Sequence, residues 1–170
     1  KPITSLDDLK GVKIRLQNNP IGLDTFKALG ANPIVLPVGD VFASLQTGVI
    51  DAAENNEPTF DTENYVVAGT KYFDLTEHFM IPEVLAFSKR KWSKLSADDQ
   101  ALIMKLAKEA QAEERVLWAD YVEKSKQRLQ SQGVKFLPVD KKPFVDATAP
   151  VREKYGKQFS DLMQQIQDTK

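Results

Sequence analysis

What this 170-residue chain lacks narrows its function before any motif is read. It has no cysteine, which removes disulfides and thiol chemistry. One histidine, His78, leaves too few ligands for a structural zinc site. No apolar run reaches the roughly 20 residues that span a bilayer. Lysine and arginine (23) nearly balance aspartate and glutamate (24), so the basic excess of a nucleic-acid binder is missing. No G-x-S-x-G, P-loop or G-x-G-x-x-G occurs. Internal repeats, low-complexity tracts and Gly/Ser linkers are missing too. The sequence starts with Lys1 rather than Met, so it reads as processed, trimmed or a fragment, and a missing secretory signal carries no weight.

What is present is a globular mixture, 42% hydrophobic and 28% charged, enough for one domain or one lobe. Ser5 and Asp8 form a capping pair, and Gly11 closes the turn. "VKIRLQ" alternates, with Val12, Ile14 and Leu16 on one face and Lys13, Arg15 and Gln17 on a polar one, which predicts a strand. Asn19 and Pro20 open a helix that Gly30 ends. "NPIVLPV" predicts a strand, "DVFASLQTG" a helix closing at Gly48, and "VIDAAEN" a third strand. A helix is expected between Pro58 and Ala68, and a strand over "PEVLAFSK". This alternation implies right-handed crossovers and an α/β fold with a largely parallel sheet. Ser96 and Asp99 then cap an amphipathic run to about Gly133. Such a helix is roughly 55 Å long, more than the width of a small lobe. "VKFLP" predicts a short strand, and a last helix carries Val151, Tyr155, Phe159, Met163 and Ile166 along one stripe.

In open α/β sheets ligands gather at the carboxyl ends of strands. Arg15 lies near the end of the first strand, before a helix start whose free N–H groups attract anions. Its planar fork matches a carboxylate, so Arg15 and the Asn19 helix start form a candidate carboxylate seat. The competing reading is an exposed arginine paired with a nearby acid. Asn55 and Asn56 fall at the carboxyl end of the third strand, on the same edge, and offer both donor and acceptor. They are equally placed to cap the helix near Pro58. The acidic group Asp51, Glu54, Glu57, Asp61 and Glu63 lacks the spacing and central glycine of a calcium loop, so no metal site is expected. A lone histidine such as His78 is more often structural than catalytic.

The segments "KPITSLDDLKGVKIR", "TFKALGANP", "VFASLQTGVIDAAENN" and "YFDLTEH" followed by "EVLAFSKRKWSKL" run in an order that resembles the DctP-type substrate-binding proteins of TRAP transporters. The resemblance implies a periplasmic-binding-protein-like lobe. Residues 1–90 would be the second, C-terminal ligand-binding lobe. Residues 91–170 would hold a long crossing helix, a short strand and a C-terminal helix packing toward a missing first lobe. It implies periplasmic capture of a small organic anion, a dicarboxylate or sugar acid, for a TRAP membrane permease, without catalysis, cofactor or nucleic acid. By the same resemblance Arg15 is the carboxylate arginine and Asn55 a polar ligand contact, with Gln17 and Asn56 as looser hydroxyl readers. Val38 stands where many members carry a phenylalanine. Two other classes remain open at this level: an enzyme acting on organic acids through the acidic cluster and His78, and a module presenting the long helix to a protein.

Overall fold

The structure, a computed structural model, describes residues 1–169. Three strands form one sheet: β1 (Lys13–Leu16), β2 (Asn32–Val35) and β3 (Ala52–Ala53), in the order β2-β1-β3 with every pairing parallel. The connections are α2 (Pro20–Ala28) between β1 and β2, and a 3-10 turn (Val38–Asp40) with α3 (Val41–Gln46) between β2 and β3. A short α1 (Leu6–Leu9) precedes β1. Because β2 and β3 lie on opposite sides of β1, right-handed crossovers put α2 and α3 on opposite faces of the sheet. Two apolar layers result. Ile14 and Leu16 pack with Phe26, Leu29 and Phe144. Ile34, Leu36 and Ala53 pack with Val41, Phe60, Tyr65 and Leu129.

The covering of both faces corrects one expectation. Arg15 was expected on a polar face; it is 2% exposed. In register its neighbours are Ile34 and Ala53, which belong to the second apolar layer. A parallel sheet is buried on both sides, so the alternate residues of its central strand do not reach water.

Beyond β3 come α4 (Glu57–Thr62) and a second parallel sheet, β4 (Tyr72–Leu75) with β5 (Lys135–Pro138). The helix expected from Pro58 to Ala68 is therefore shorter than its apolar content suggests, and β4 was not anticipated from pattern. The strand expected over residues 82–89 does not form; that stretch is unpaired, and Val84, Leu85 and Phe87 are exposed. A β-branched run becomes a strand only beside a partner edge, and among the described residues none meets it.

A one-turn α5 (Lys89–Trp92) leads to α6 (Ala97–Ser131), 35 residues long and capped as expected: Ser96 Oγ accepts from the Asp99 amide at 3.1 Å. Only its end is embedded, through buried Ser125 and Leu129 and the Arg128–Asp61 pair at 2.6 Å. Leu102, Leu106, Leu117 and Trp118 are exposed. The single last helix is instead three: α7 (Lys142–Ala147), α8 (Ala149–Gly156) and, after a 3-10 turn, α9 (Ser160–Asp168). Val151 is buried whereas Phe159 and Ile166 are exposed, so the expected stripe does not act as one face.

Candidate functional site

The β2-β1-β3 order creates a point where successive connections run in opposite directions across the sheet. A crevice opens there at the carboxyl ends of the strands. Residues just after β1 border it, whereas Glu54 and Asn55 after β3 line a separate cavity; Glu54 N still donates to Arg15 O at 3.3 Å, joining the two strand ends. Arg15 rises from β1 into this region. Its Nε donates to the Leu36 carbonyl at 2.9 Å, while Nη1 is sealed from water without a partner. Among the described residues no carboxylate lies within ion-pair distance of it. The alternative of an exposed arginine paired with an acid is thus set aside. A guanidinium stays charged even when buried, so it needs a countercharge that the lobe does not supply.

Arg15 forms the floor of a shallow groove of about 370 Å³, walled by Gln17, Asn18, Val35, Leu36, Pro37 and Val38. Gln17 and Val38 are exposed along its rim. Val38 is held there by the 3-10 turn that follows Pro37.

The two asparagines divide their work. Asn56 is the N-cap of α4, its Oδ1 accepting from Thr59 N at 2.9 Å. Asn55, half-buried, accepts from Asn56 N at 3.0 Å, and its side chain lies beside the Tyr65 hydroxyl. The helix start proposed as half of the seat is already occupied. Asn19 Oδ1 accepts from Ile21 N (2.9 Å) and Gly22 N (3.3 Å), Leu23 N bonds Asn19 O, and Pro20 has no N–H. A well-capped helix start has few donors left for an anion. This corrects the pairing of Arg15 with the Asn19 helix start.

Tyr65 was missed by sequence reading. It is 2% exposed in the layer that holds Arg15, and its hydroxyl has no hydrogen-bond partner. Burial pushes that hydroxyl's pKa up, while the Arg15 charge and the Asn55 side chain pull it the other way. Nothing in "ENYVVAGT" marks it, because its role depends on neighbours 50 residues away in β1.

A second cavity of about 430 Å³ separates β3 from β4 and is lined by Glu54, Asp74, Thr76, His78 and Arg152 among others. His78 is held structurally. Its Nδ1 lies 2.7 Å from Thr76 Oγ1, and its ring meets Phe26 edge-on at 5.0 Å. Glu54 is 3.8 Å from its Nε2. The acidic group is dispersed: Asp51 accepts from Lys13 N and Asp61 pairs with Arg128. Among the described residues no cluster of three or more His, Cys, Asp or Glu is placed to hold a metal.

The chain is a parallel α/β lobe with a buried arginine, lacking a carboxylate partner among the described residues, near the carboxyl ends of its strands, and its fold is that of TRAP periplasmic solute-binding protein lobes. The chain belongs to the family of bacterial extracellular solute-binding proteins, family 7 (DctP), which matches residues 1–158. It is similar to a TRAP periplasmic solute binding protein from Pseudomonas putida F1 with bound D-glucuronate: 50% identity, TM-score 0.94, 100% of this chain and 55% of that one. A TRAP periplasmic solute binding protein from Citrobacter koseri, also with bound D-glucuronate, shows 46% identity and TM-score 0.91 over 100% of this chain and 56% of that one. A solute-binding protein of Chromohalobacter salexigens is 36% identical over 98% of this chain and 50% of its own length. The chain thus spans about half the length of the curated relatives it matches. Among the described residues no helix is long and apolar enough to cross a membrane.

Proposed function

We propose that this chain is one jaw of an extracytoplasmic binding protein that captures a hexuronate such as D-glucuronate by its carboxylate and hands it to a TRAP membrane permease. The observation that carries the reading is Arg15: a buried charge with no protein countercharge, flooring a groove at the carboxyl edge of a parallel sheet. A carboxylate supplies the missing charge and accepts from the guanidinium. Asn55 Nδ2 fixes the ligand's orientation, Gln17 and Asn56 read sugar hydroxyls, and Val38 sets the groove's rim.

The proposal extends to domain organisation. Residues 1–90 form the ligand-binding lobe. In residues 91–170 the long α6 meets a first lobe that closes on the ligand, whereas β5, α7 and α8 pack on the ligand-binding lobe itself. The apolar surface of residues 80–87 and of α6 is the face that such a lobe covers. The uronates bound by the two similar structures support the ligand class. Capture without turnover is expected, in the periplasm.

The test is calorimetry of D-glucuronate on the protein in its full-length context, with recovery of the sugar afterwards. Micromolar or tighter binding, unchanged sugar and a large loss in Arg15→Met support the reading. Unchanged affinity in Arg15→Met, or conversion of the sugar, defeats it.

A further inference from the structure

Two buried polar atoms in the same apolar layer lack partners, and they are chemically complementary. Arg15 Nη1 is a donor and the Tyr65 hydroxyl oxygen an acceptor. A buried tyrosine hydroxyl ordinarily finds a partner, and an unpaired one is a net cost to the fold. The ring is already satisfied by packing, edge-on to Phe60 at 5.7 Å, so phenylalanine would serve if packing were its whole purpose. Arg15 is tethered at one point, Nε to the Leu36 carbonyl; its fork is planar and rigid, so a second contact at Nη1 would fix the direction of the remaining terminal nitrogen. With Nε on Leu36 and Nη1 sealed, the bond to a carboxylate falls to the other terminal nitrogen, whose direction depends on the plane of the fork.

We propose that Tyr65 is a positioning residue for the carboxylate seat. In the ligand-loaded site its hydroxyl accepts from Arg15 Nη1 and holds the fork so that the other terminal nitrogen faces the groove. This inference rests on the seat proposed above. It assigns Tyr65 no contact with the ligand: the hydroxyl acts through Arg15.

The experiment is a double-mutant cycle on the full-length protein, with D-glucuronate as the probe and ligand-free melting temperature as the second readout. Tyr65→Phe is expected to weaken binding about tenfold. Its ligand-free melting temperature should be unchanged or higher, because an unpaired hydroxyl has been removed. In an Arg15→Lys background, which has no fork to orient, the same substitution should cost less than twofold. An unchanged affinity in Tyr65→Phe overturns the proposal. So does an equal loss in both backgrounds, which would place Tyr65 on the ligand or elsewhere. A fall in ligand-free melting temperature that accompanies the affinity loss would make the residue structural and also overturn it. Arg15→Met loses binding in all these cases unless the seat itself is wrong, so the two failures are told apart.

Discussion

Asp24 of α2 and Lys154 of α8 are 130 residues apart in sequence and 2.6 Å apart in space, and the Tyr155 hydroxyl donates to the same carboxylate at 2.8 Å. This pins the C-terminal helices to the first crossover helix and so to the sheet that carries Arg15. The Lys154 contact, then the Tyr155 hydrogen bond, hold Asp24 below its ordinary value of 3.8. Its folded pKa is depressed, so its contribution is present above pH 3.8 and is lost as pH falls through the folded value. Lys154 is raised from 10.5 by the same Asp24 contact, so its contribution is intact below that pH and is lost as pH climbs through the raised value. Melting temperature against pH should therefore show a shallower acid limb in Asp24→Asn. Lys154→Gln should flatten the alkaline limb. Wild-type slopes in both variants would mean the contact contributes nothing in solution.

Arg15 should show binding and stability moving independently. Arg15→Lys keeps the charge but loses the planar fork, and about a ten- to hundredfold loss of D-glucuronate affinity is expected. Arg15→Met should lose more, because the carboxylate is then desolvated without a partner. Ligand-free stability should fall by no more than about 1 kcal/mol, the contribution of the Leu36 carbonyl bond, since an uncompensated buried charge leaves with it. Calorimetry beside urea unfolding separates the two quantities. A collapse of the ligand-free fold in Arg15→Met would show that the guanidinium serves the core rather than a ligand.

The asparagine pair can be split by choosing substitutions that respect the cap. Asn56→Ala should destabilise by about 1 kcal/mol, because Thr59 N loses its acceptor at the start of α4. Asn56→Ser restores a capping oxygen but has no amide donor, so any affinity it loses measures a ligand contact alone. Asn55→Ala should weaken D-glucuronate by roughly 1–3 kcal/mol with little change in melting temperature. A melting-temperature loss in Asn55→Ala at constant affinity would reduce Asn55 to a turn residue.

The exposed apolar residues of the extended segment and of α6, among them Val84, Leu85, Leu106 and Trp118, should bind an apolar-surface dye in the 170-residue chain. The signal should be lost in the full-length protein once the proposed first lobe covers them. Equal dye binding in both would remove the argument that α6 crosses to another lobe.

Local chemistry in the sequence determined a good deal of this. Ser96 with Asp99 placed the start of α6, Asn19 with Pro20 the start of α2, and Gly30 and Gly48, both at positive φ, the ends of α2 and α3. These signals act within four or five residues, so they survive without knowledge of the rest of the chain. The βαβ order followed from them, and with it the edge where Arg15 and Asn55 would meet a ligand. The tertiary structure alone decided what each of those residues has left to offer. Burial of both sheet faces turned Arg15 from an exposed strand residue into a sealed charge. The Asn19 side chain closed the helix start that sequence spacing had left open. Gly156 and the 3-10 turn after it broke a continuous apolar stripe, and residues 82–89 stayed unpaired for want of a neighbouring edge. Tyr65 lies in the layer that holds Arg15 only because α4 and the turn after it pack on that face of the sheet. Partners distant in sequence satisfy or fail to satisfy a polar group, and that is decided by packing rather than by any local pattern.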